Sequence, residues 1–149
     1  MRRAAIAISV LLWCAGCRKD APATVAPINL VEGEIVDDPA KVRVAIGYRP
    51  APEREIELVV DLAAIGIEEM DKIVVDIVVE GFALVGGEAE WSGFVAPRFP
   101  IVHRASFRLL EGTEAGTLAV TVQRSVNSEV LFERTLAFTA EGDRVRPDD

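Results

Sequence analysis

Glu55-Ile56-Glu57-Leu58-Val59-Val60-Asp61-Leu62 is the stretch that decides the fold of this chain. Its large aliphatic residues recur at every second position, and three of the four residues that precede them are charged. Because successive side chains of a β-strand point to opposite faces, a period of two predicts a strand with one face in a core and one in water. Such a strand needs a second layer over its apolar face. The stretch therefore predicts a layered all-β domain.

Similar patterns lie on both sides of this strand, at Val42 to Ile46, Ala105 to Leu109, Leu118 to Val122 and Val130 to Thr139. In the last of these, Arg134 shares its parity with the apolar Leu136 and Phe138, and a bulge near Glu133 would resolve that conflict. Ile73 to Val79 is the run richest in β-branched residues, which predicts a central strand covered on most of both faces.

The segments between these strands carry turn residues. Arg49 to Pro52 predicts a turn, and 63–72 is a longer connection with a possible helical turn at 67–70. Gly86-Gly87 predicts a type I′ hairpin, because glycine adopts the positive φ angles of such a turn. Ser92 to Pro100 is interpreted as an irregular crossing bounded by prolines.

Seven or eight short strands about ten residues apart predict a single antiparallel β-sandwich over 41–140. Their order resembles that of immunoglobulin-like modules of bacterial surface proteins, although the Cys…Trp…Cys signature of antibody domains is absent. An up-and-down barrel is the structural alternative, and it would need a more uniform hairpin rhythm. Ile28 to Val36 is a candidate edge strand, and the charged segment 141–149 is predicted to be a disordered tail.

The pattern of the N-terminal residues predicts that the chain is exported from the cytoplasm. Arg2 and Arg3 precede an apolar run from Ala4 to Trp13, whose length fits the roughly 7–15 residues of a secretory signal and not the roughly 20 of a spanning helix. A strand or helix of a globular domain would show a polar face, and this run shows none. Residues 1–16 are therefore interpreted as a signal peptide.

Ala15-Gly16-Cys17 resembles the lipobox of bacterial lipoproteins, although that family prefers Leu at the position of Cys14. The resemblance implies cleavage before Cys17, and a diacylglycerol and an acyl chain, such as palmitate, on Cys17. Several acyl chains suffice for stable membrane anchoring. Because Arg18 and not Asp follows the cysteine, the family's sorting rule implies the outer membrane of the cell envelope, on its periplasmic or surface face. Residues 17–40 would then be the lipidated cysteine and an extended tether.

Charge and cysteine content exclude other classes. The chain has 16 basic and 24 acidic residues, and removal of Arg2 and Arg3 with the signal gives 14 − 24 = −10. This balance argues against nucleic acid as a partner. Cys14 would leave with the signal and Cys17 would be lipidated, so no disulfide and no thiolate metal site are expected.

Candidate catalytic residues are scarce. His103 is the only histidine, and its parity with Ala105 and Phe107 favours a packed imidazole over a catalytic one. Motifs of hydrolases, zinc proteases and P-loop enzymes do not occur. Glu68, Glu69 and Asp71 could contribute to a cation site, but solvated charge is the simpler interpretation. No catalytic, cofactor-binding or metal-binding residue is predicted, and the chain is not expected to be an enzyme.

Trp91, Phe94 and Phe99 form the one candidate binding patch, because aromatic rings near a loop often bind peptides or sugars. The alternative is that these rings fill and close the core. Two hypotheses for function follow. The first is a membrane-anchored envelope lipoprotein that acts as a non-enzymatic module for binding another envelope protein. The second is a lipoprotein that binds a small ligand or glycan through the region of Trp91 and Phe94.

Overall fold

The computed structural model describes residues 29–35, 42–64, 71–96 and 98–148, and of 29–35 and Asp71 only the backbone. Ten β-strands cover most of these residues. They are β1 (Asn29–Ile35), β2 (Val42–Ala51), β3 (Glu55–Ala64), β4 (Asp71–Glu80), β5 (Phe82–Gly87), β6 (Glu90–Val95), β7 (Ile101–Leu109), β8 (Ala115–Arg124), β9 (Val130–Glu141) and β10 (Arg144–Pro147). The predicted β-sandwich is confirmed, with more strands than the seven or eight expected.

The strands form two antiparallel sheets. Sheet A has the order β1-β2-β3-β7-β5, and sheet B has the order β10-β9-β8-β4-β6. Within them, β2-β3-β7-β5 and β9-β8-β4 have the order of the A-B-E-D and G-F-C sheets of an immunoglobulin constant-type domain. The chain differs by three additional strands: β1 and β10 at edges of the two sheets, and β6, inserted between the D and E positions at the other edge of sheet B. The predicted edge strand near 28–36 is confirmed as β1, which pairs with β2.

The core lies between the two sheets and is built by the alternate residues that the sequence predicts. Strand β3 buries Ile56, Leu58, Val60 and Leu62, as expected from its pattern. Strand β4 buries Ile73, Val75 and Ile77, but Val78 on its other face is 60% exposed. The expectation that β4 is covered on most of both faces is therefore wrong. It is flanked by β8 and β6, and its outer face meets solvent.

The predicted Gly86-Gly87 hairpin is wrong. Strand β5 pairs with β7 in sheet A, whereas β6 pairs with β4 in sheet B, so the chain crosses between sheets at this point. Gly87 has φ 75, and a Cβ there would overlap the backbone carbonyl of Arg104. The glycine thus permits close approach of the crossing segment to β7.

Strand β9 contains the expected bulge, two residues earlier than predicted. Val122 pairs with Phe132 and Gln123 with Val130, so Leu131 is the additional residue. The bulge lets Leu131 and the next residue both be buried. It does not change the parity of Arg134, which stays on the face of Leu136 and Phe138 and is exposed because β9 is near the edge of its sheet.

The predicted disordered tail is also wrong. After a turn at Gly142 and Asp143, Arg144–Pro147 forms β10, which pairs with the end of β9. Val145 of β10 is 2% exposed and belongs to the core. Its burial explains why a charged segment is ordered, since this one apolar residue fills space between the sheets.

The turn from β2 to β3 lies later in the chain than predicted, and the turn between β9 and β10 holds it through Asp143. β2 runs through Ala51, and the turn is made by Pro52, Glu53 and Arg54. The backbone N–H of Arg54 donates to the carbonyl of Asp143 at 2.8 Å, and the N–H of Glu53 donates to Oδ1 of Asp143 at 3.1 Å. The two turns therefore close the same end of the sandwich together.

Several predicted features lie outside the described residues. They include the signal peptide, Cys17, the tether up to residue 28, the possible helical turn at 67–70, and Glu68 and Glu69 of the acidic loop. Across the part of the chain that the structure describes, no helix is long and apolar enough to span a bilayer.

Candidate functional site

Trp91 and His103 face each other across the core from different sheets. Trp91 lies on β6 and His103 on β7, and their stacked rings have centroids 6.1 Å apart at an interplanar angle of 27°. Nε2–H of His103 donates to the backbone carbonyl of Glu88 at 2.8 Å. The imidazole is buried, as its parity indicated. This histidine therefore joins the crossing segment to the core.

The ring of Trp91 lies along its own strand over Gly93. A Cβ added at Gly93 would overlap the Cζ2 side of the indole, so only glycine leaves room for the ring in this position. Trp91 also packs against the buried core cluster. The ring is thus part of the packing of this side of the sandwich.

Replacing Gly93 by alanine is expected to lower the free energy of unfolding by about 1–3 kcal/mol, because the methyl group must displace the Trp91 ring. The intrinsic fluorescence of Trp91 should change in the folded state as the ring loses its contact with His103. Urea unfolding monitored by fluorescence measures both effects. Ser92→Ala is the control, since Ser92 is exposed on the other face of β6. An unchanged midpoint for Gly93→Ala would show that the ring has room to move.

Phe94 and Phe99 are exposed, in contrast to Trp91. Phe94 is 58% exposed and Phe99 is 70% exposed. Phe94 lies opposite Lys72 of β4, on the outer face of sheet B, because it has the opposite parity to Trp91. Phe99 forms a β-bridge with Ala96, two residues after Phe94. The structure therefore brings Phe94 and Phe99 to one corner and separates Trp91 from them.

Apolar and basic residues lie beside the two phenylalanines. The N–H of Ser125 donates to the carbonyl of Lys72 at 2.8 Å, which places the β8–β9 turn with the exposed Val126 next to β4. Arg98 lies in the loop between the bridged residues Ala96 and Phe99. We call this surface the aromatic patch. It consists of Phe94, Phe99 and Val126 with the basic residues Lys72 and Arg98.

The outer face of sheet A has a different character, because ion pairs link its strands. Glu57 of β3 lies 3.4 Å from Arg49 of β2 and 3.3 Å from Arg104 of β7. Arg108 pairs with Glu53 at 3.0 Å and with Glu55. The side-chain hydrogen bond to Glu55 raises the pKa of Arg108 above its ordinary value. Most of these side chains are partly or largely exposed, and ion pairs near the surface contribute little to stability.

A cleft of about 260 Å³ opens at the side of the sandwich opposite β6, and it is lined by Tyr48 of β2, the middle of β9 and the end of β10. Tyr48, Leu136 and Phe138 supply its apolar wall, and Arg134 and Asp148 lie on its rim. No pattern in the sequence predicts this cleft directly. The one sequence feature that points to the cleft is Arg134, a charged residue on an otherwise apolar face of its strand. Among the described residues, no group of three or more His, Cys, Asp or Glu side chains could hold a metal ion.

The described residues thus define a β-sandwich domain with an immunoglobulin-like strand order, one exposed aromatic patch and one lateral cleft. No protein-family model matches the chain, and no curated protein matches it by sequence.

Proposed function

We propose that this chain is a membrane-anchored lipoprotein of the cell envelope, whose sandwich is a non-enzymatic module for binding another envelope protein. The sequence supports the anchor through the signal-like segment 1–16 and the lipobox-like Ala15-Gly16-Cys17. The structure supports the binding role through the aromatic patch, which is the observation that carries the proposal. Two phenylalanine side chains that are more than half exposed contribute apolar area that a partner would bury.

One phenylalanine of the patch lies on a paired strand, and the composition of the patch suits a protein surface. Phe94 is held on a strand that pairs with β4 through six residue pairs, so its side chain is presented without a large entropy loss on binding. Lys72 and Arg98 add two basic side chains to the patch on a chain that is acidic overall. A partner with apolar and acidic side chains would match both features.

Strand β1 begins at the end of the sandwich opposite the aromatic patch, which supports a patch held away from a tether that precedes β1. Asn29 at the start of β1 pairs with Tyr48, and Ile35 at its end pairs with Arg43. The chain therefore reaches the domain nearer the β2–β3 turn and runs toward the end that carries the patch. A ten-residue tether at about 3.1 Å per residue spans roughly 30 Å. A domain held in this way would present the aromatic patch to a partner at some distance from the membrane.

The glycan alternative has less support. It depends on an accessible Trp91 ring, and this ring is stacked on His103 and packed against the core. The lateral cleft lies at the β2–β9 side, whereas Trp91 lies on β6 at the other edge of sheet B.

The anchor is tested by metabolic labelling with a fatty-acid analogue in a bacterial host, with Cys17→Ser as the variant. The wild-type chain should take up label and fractionate with the membrane, because only the thiol of Cys17 accepts the diacylglycerol. Cys17→Ser should take up no label and should be released or left unprocessed. Equal labelling of the two chains, or a soluble and unlabelled wild type, would refute the anchor.

The binding role is tested by site-specific photo-crosslinking in the same host. A photoreactive residue at position 94 should give one dominant adduct with an envelope protein, and Phe99→Ser should reduce its yield. The same residue at position 110 is the control, because Leu110 is similarly exposed and follows β7 at the opposite end of the sandwich. The same weak set of adducts from both positions would contradict a specific interface at the patch.

A further inference from the structure

The edge of β9 beside the lateral cleft has backbone groups that no described strand pairs. Strand β10 covers only Phe138 to Glu141, and the N–H of Asp148 donates to the carbonyl of Ala137 at 2.9 Å. In an antiparallel ladder, every second residue directs its N–H and C=O to the same side. By this alternation, Glu133 and Thr135 direct theirs to the same edge as Ala137, in line with β10.

The cleft lies beside this edge and has room for a side chain of an added strand. Residues of such a strand would alternate between solvent and the space between the sheets. On β9 itself the inward positions next to this edge are Arg134 and Leu136. The cleft of about 260 Å³ could take a large apolar side chain against Leu136 and the buried Tyr48.

Charge at the rim of the cleft indicates what kind of segment fits. The Arg134 guanidinium forms no ion pair or hydrogen bond with any described residue. At the other end of the cleft, the carboxylate of Asp148 accepts a hydrogen bond from Oγ1 of Thr139 at 2.6 Å. An added strand would therefore lie next to the uncompensated positive charge of Arg134, which is two residues from the apolar Leu136 along β9.

We propose that the β9 edge binds an extended peptide segment of a partner protein as an additional strand of sheet B, with an apolar or aromatic residue in the cleft and an acidic residue at Arg134. This mode obtains affinity from main-chain hydrogen bonds and specificity from alternate side chains. The inference rests on the proposed function, because it names the segment that a protein-binding module would recognise at a second surface.

The other edge strands described with their side chains are less suited to this role. Strand β5 has a register shift between Leu84 and Gly86, in the middle of its six residues, and such irregularities interrupt further pairing, whereas the bulge of β9 at Leu131 lies outside its 133–137 edge. Strand β6 is only six residues long. The β9 edge combines unpaired backbone, a cavity and an unpaired charge at one place.

The test is an NMR titration of the full chain, purified in detergent, with the capped peptide Thr-Asp-Thr-Phe-Thr-Asp-Thr. This peptide places an aspartate two residues from the phenylalanine in either strand direction. We expect it to shift the amide resonances of Glu133 and Thr135 at millimolar concentration. A peptide with lysine in place of both aspartates should bind about tenfold more weakly, and Arg134→Glu should reverse this preference.

Arg43→Glu is the matched control, because Arg43 is exposed on the outer face of sheet A and should leave the preference unchanged. Thermal unfolding of each variant shows that it is folded. Three outcomes overturn the proposal: no shift at Glu133 and Thr135, equal binding of both peptides, or tighter binding and self-association of Arg134→Ala. The last would show that Arg134 protects the edge from pairing. None of them bears on the aromatic patch, whose crosslinking from position 94 tests the proposed function separately.

Discussion

Replacing Phe138 by alanine is expected to lower the free energy of unfolding by about 3–5 kcal/mol. The Phe138 side chain is fully buried and makes edge-to-face contacts with Tyr48 and Phe82, at centroid distances of 5.3 Å and 6.0 Å. Tyr48 and Phe82 belong to sheet A, whereas Phe138 belongs to sheet B. The substitution would thus leave a cavity where three rings join the two sheets.

Urea unfolding followed by circular dichroism measures this loss, and Phe94→Ala is the control. Phe94 is more than half exposed, so its truncation should change the free energy of unfolding by no more than about 0.5 kcal/mol. A domain of this size has a total stability on the order of 5–15 kcal/mol, so Phe138→Ala should retain only part of it. Similar losses for both variants would mean that the ring cluster does not dominate the core.

The period-two patterns predicted most of the fold because burial on one face is a local signal. Ile56 to Leu62 and Leu118 to Val122 could be assigned to strands from the sequence, since each alternation reflects a single boundary between core and water. Strand partners could not be assigned in this way. Gly86-Gly87 has the composition of a hairpin turn, and only contacts with β7 show that the chain changes sheets there. Those contacts are long-range and leave no periodic signal.

The candidate site was predicted in part. The sequence predicts a patch that includes Phe94 and Phe99, and the structure exposes both side chains. The same prediction includes Trp91, yet Trp91 differs from Phe94 by three positions on an extended strand, so the two side chains must face opposite ways. The glycine and prolines of 92–100 predict an irregular crossing, to which that rule does not apply, and this prediction is wrong for 92–95, which belong to β6. The role of His103 as a packed residue followed from parity alone.

Two surfaces on one small domain are compatible with a single partner or with two. The aromatic patch lies near β6 at one edge of sheet B, and the β9 edge lies near the other edge of the same sheet. On the outer face of sheet A, Glu57 and Arg108 already form ion pairs with other residues of the same sheet. Sheet B is therefore the side on which both proposed contacts meet, and a partner that spans it could use both.

Ending the chain after Glu141 is expected to lower the free energy of unfolding by about 4 kcal/mol or more. The deletion exposes core that Val145 covers, which contributes about 1.5–3 kcal/mol. It also removes the hydrogen bonds from Arg54 and Glu53 to Asp143 and the pairing of β10 with β9, each hydrogen bond worth about 1 kcal/mol. Urea unfolding of the shortened chain measures the loss.

The double variant Arg144→Ala and Arg146→Ala tests whether β10 stabilises the domain through its strand pairing or through its charged side chains. Both arginines are exposed, so it should unfold within about 0.5 kcal/mol of the wild type. Amide exchange at Thr139, which faces Arg146, should be fast in the shortened chain and slow in the double variant, because only the deletion removes the backbone partner. If the shortened chain kept the wild-type midpoint of urea unfolding, β10 would contribute nothing measurable to the stability of the domain. If it loses the expected stability, the charged C-terminal segment holds the turn of Glu53 and Arg54 in place and closes that end of the sandwich.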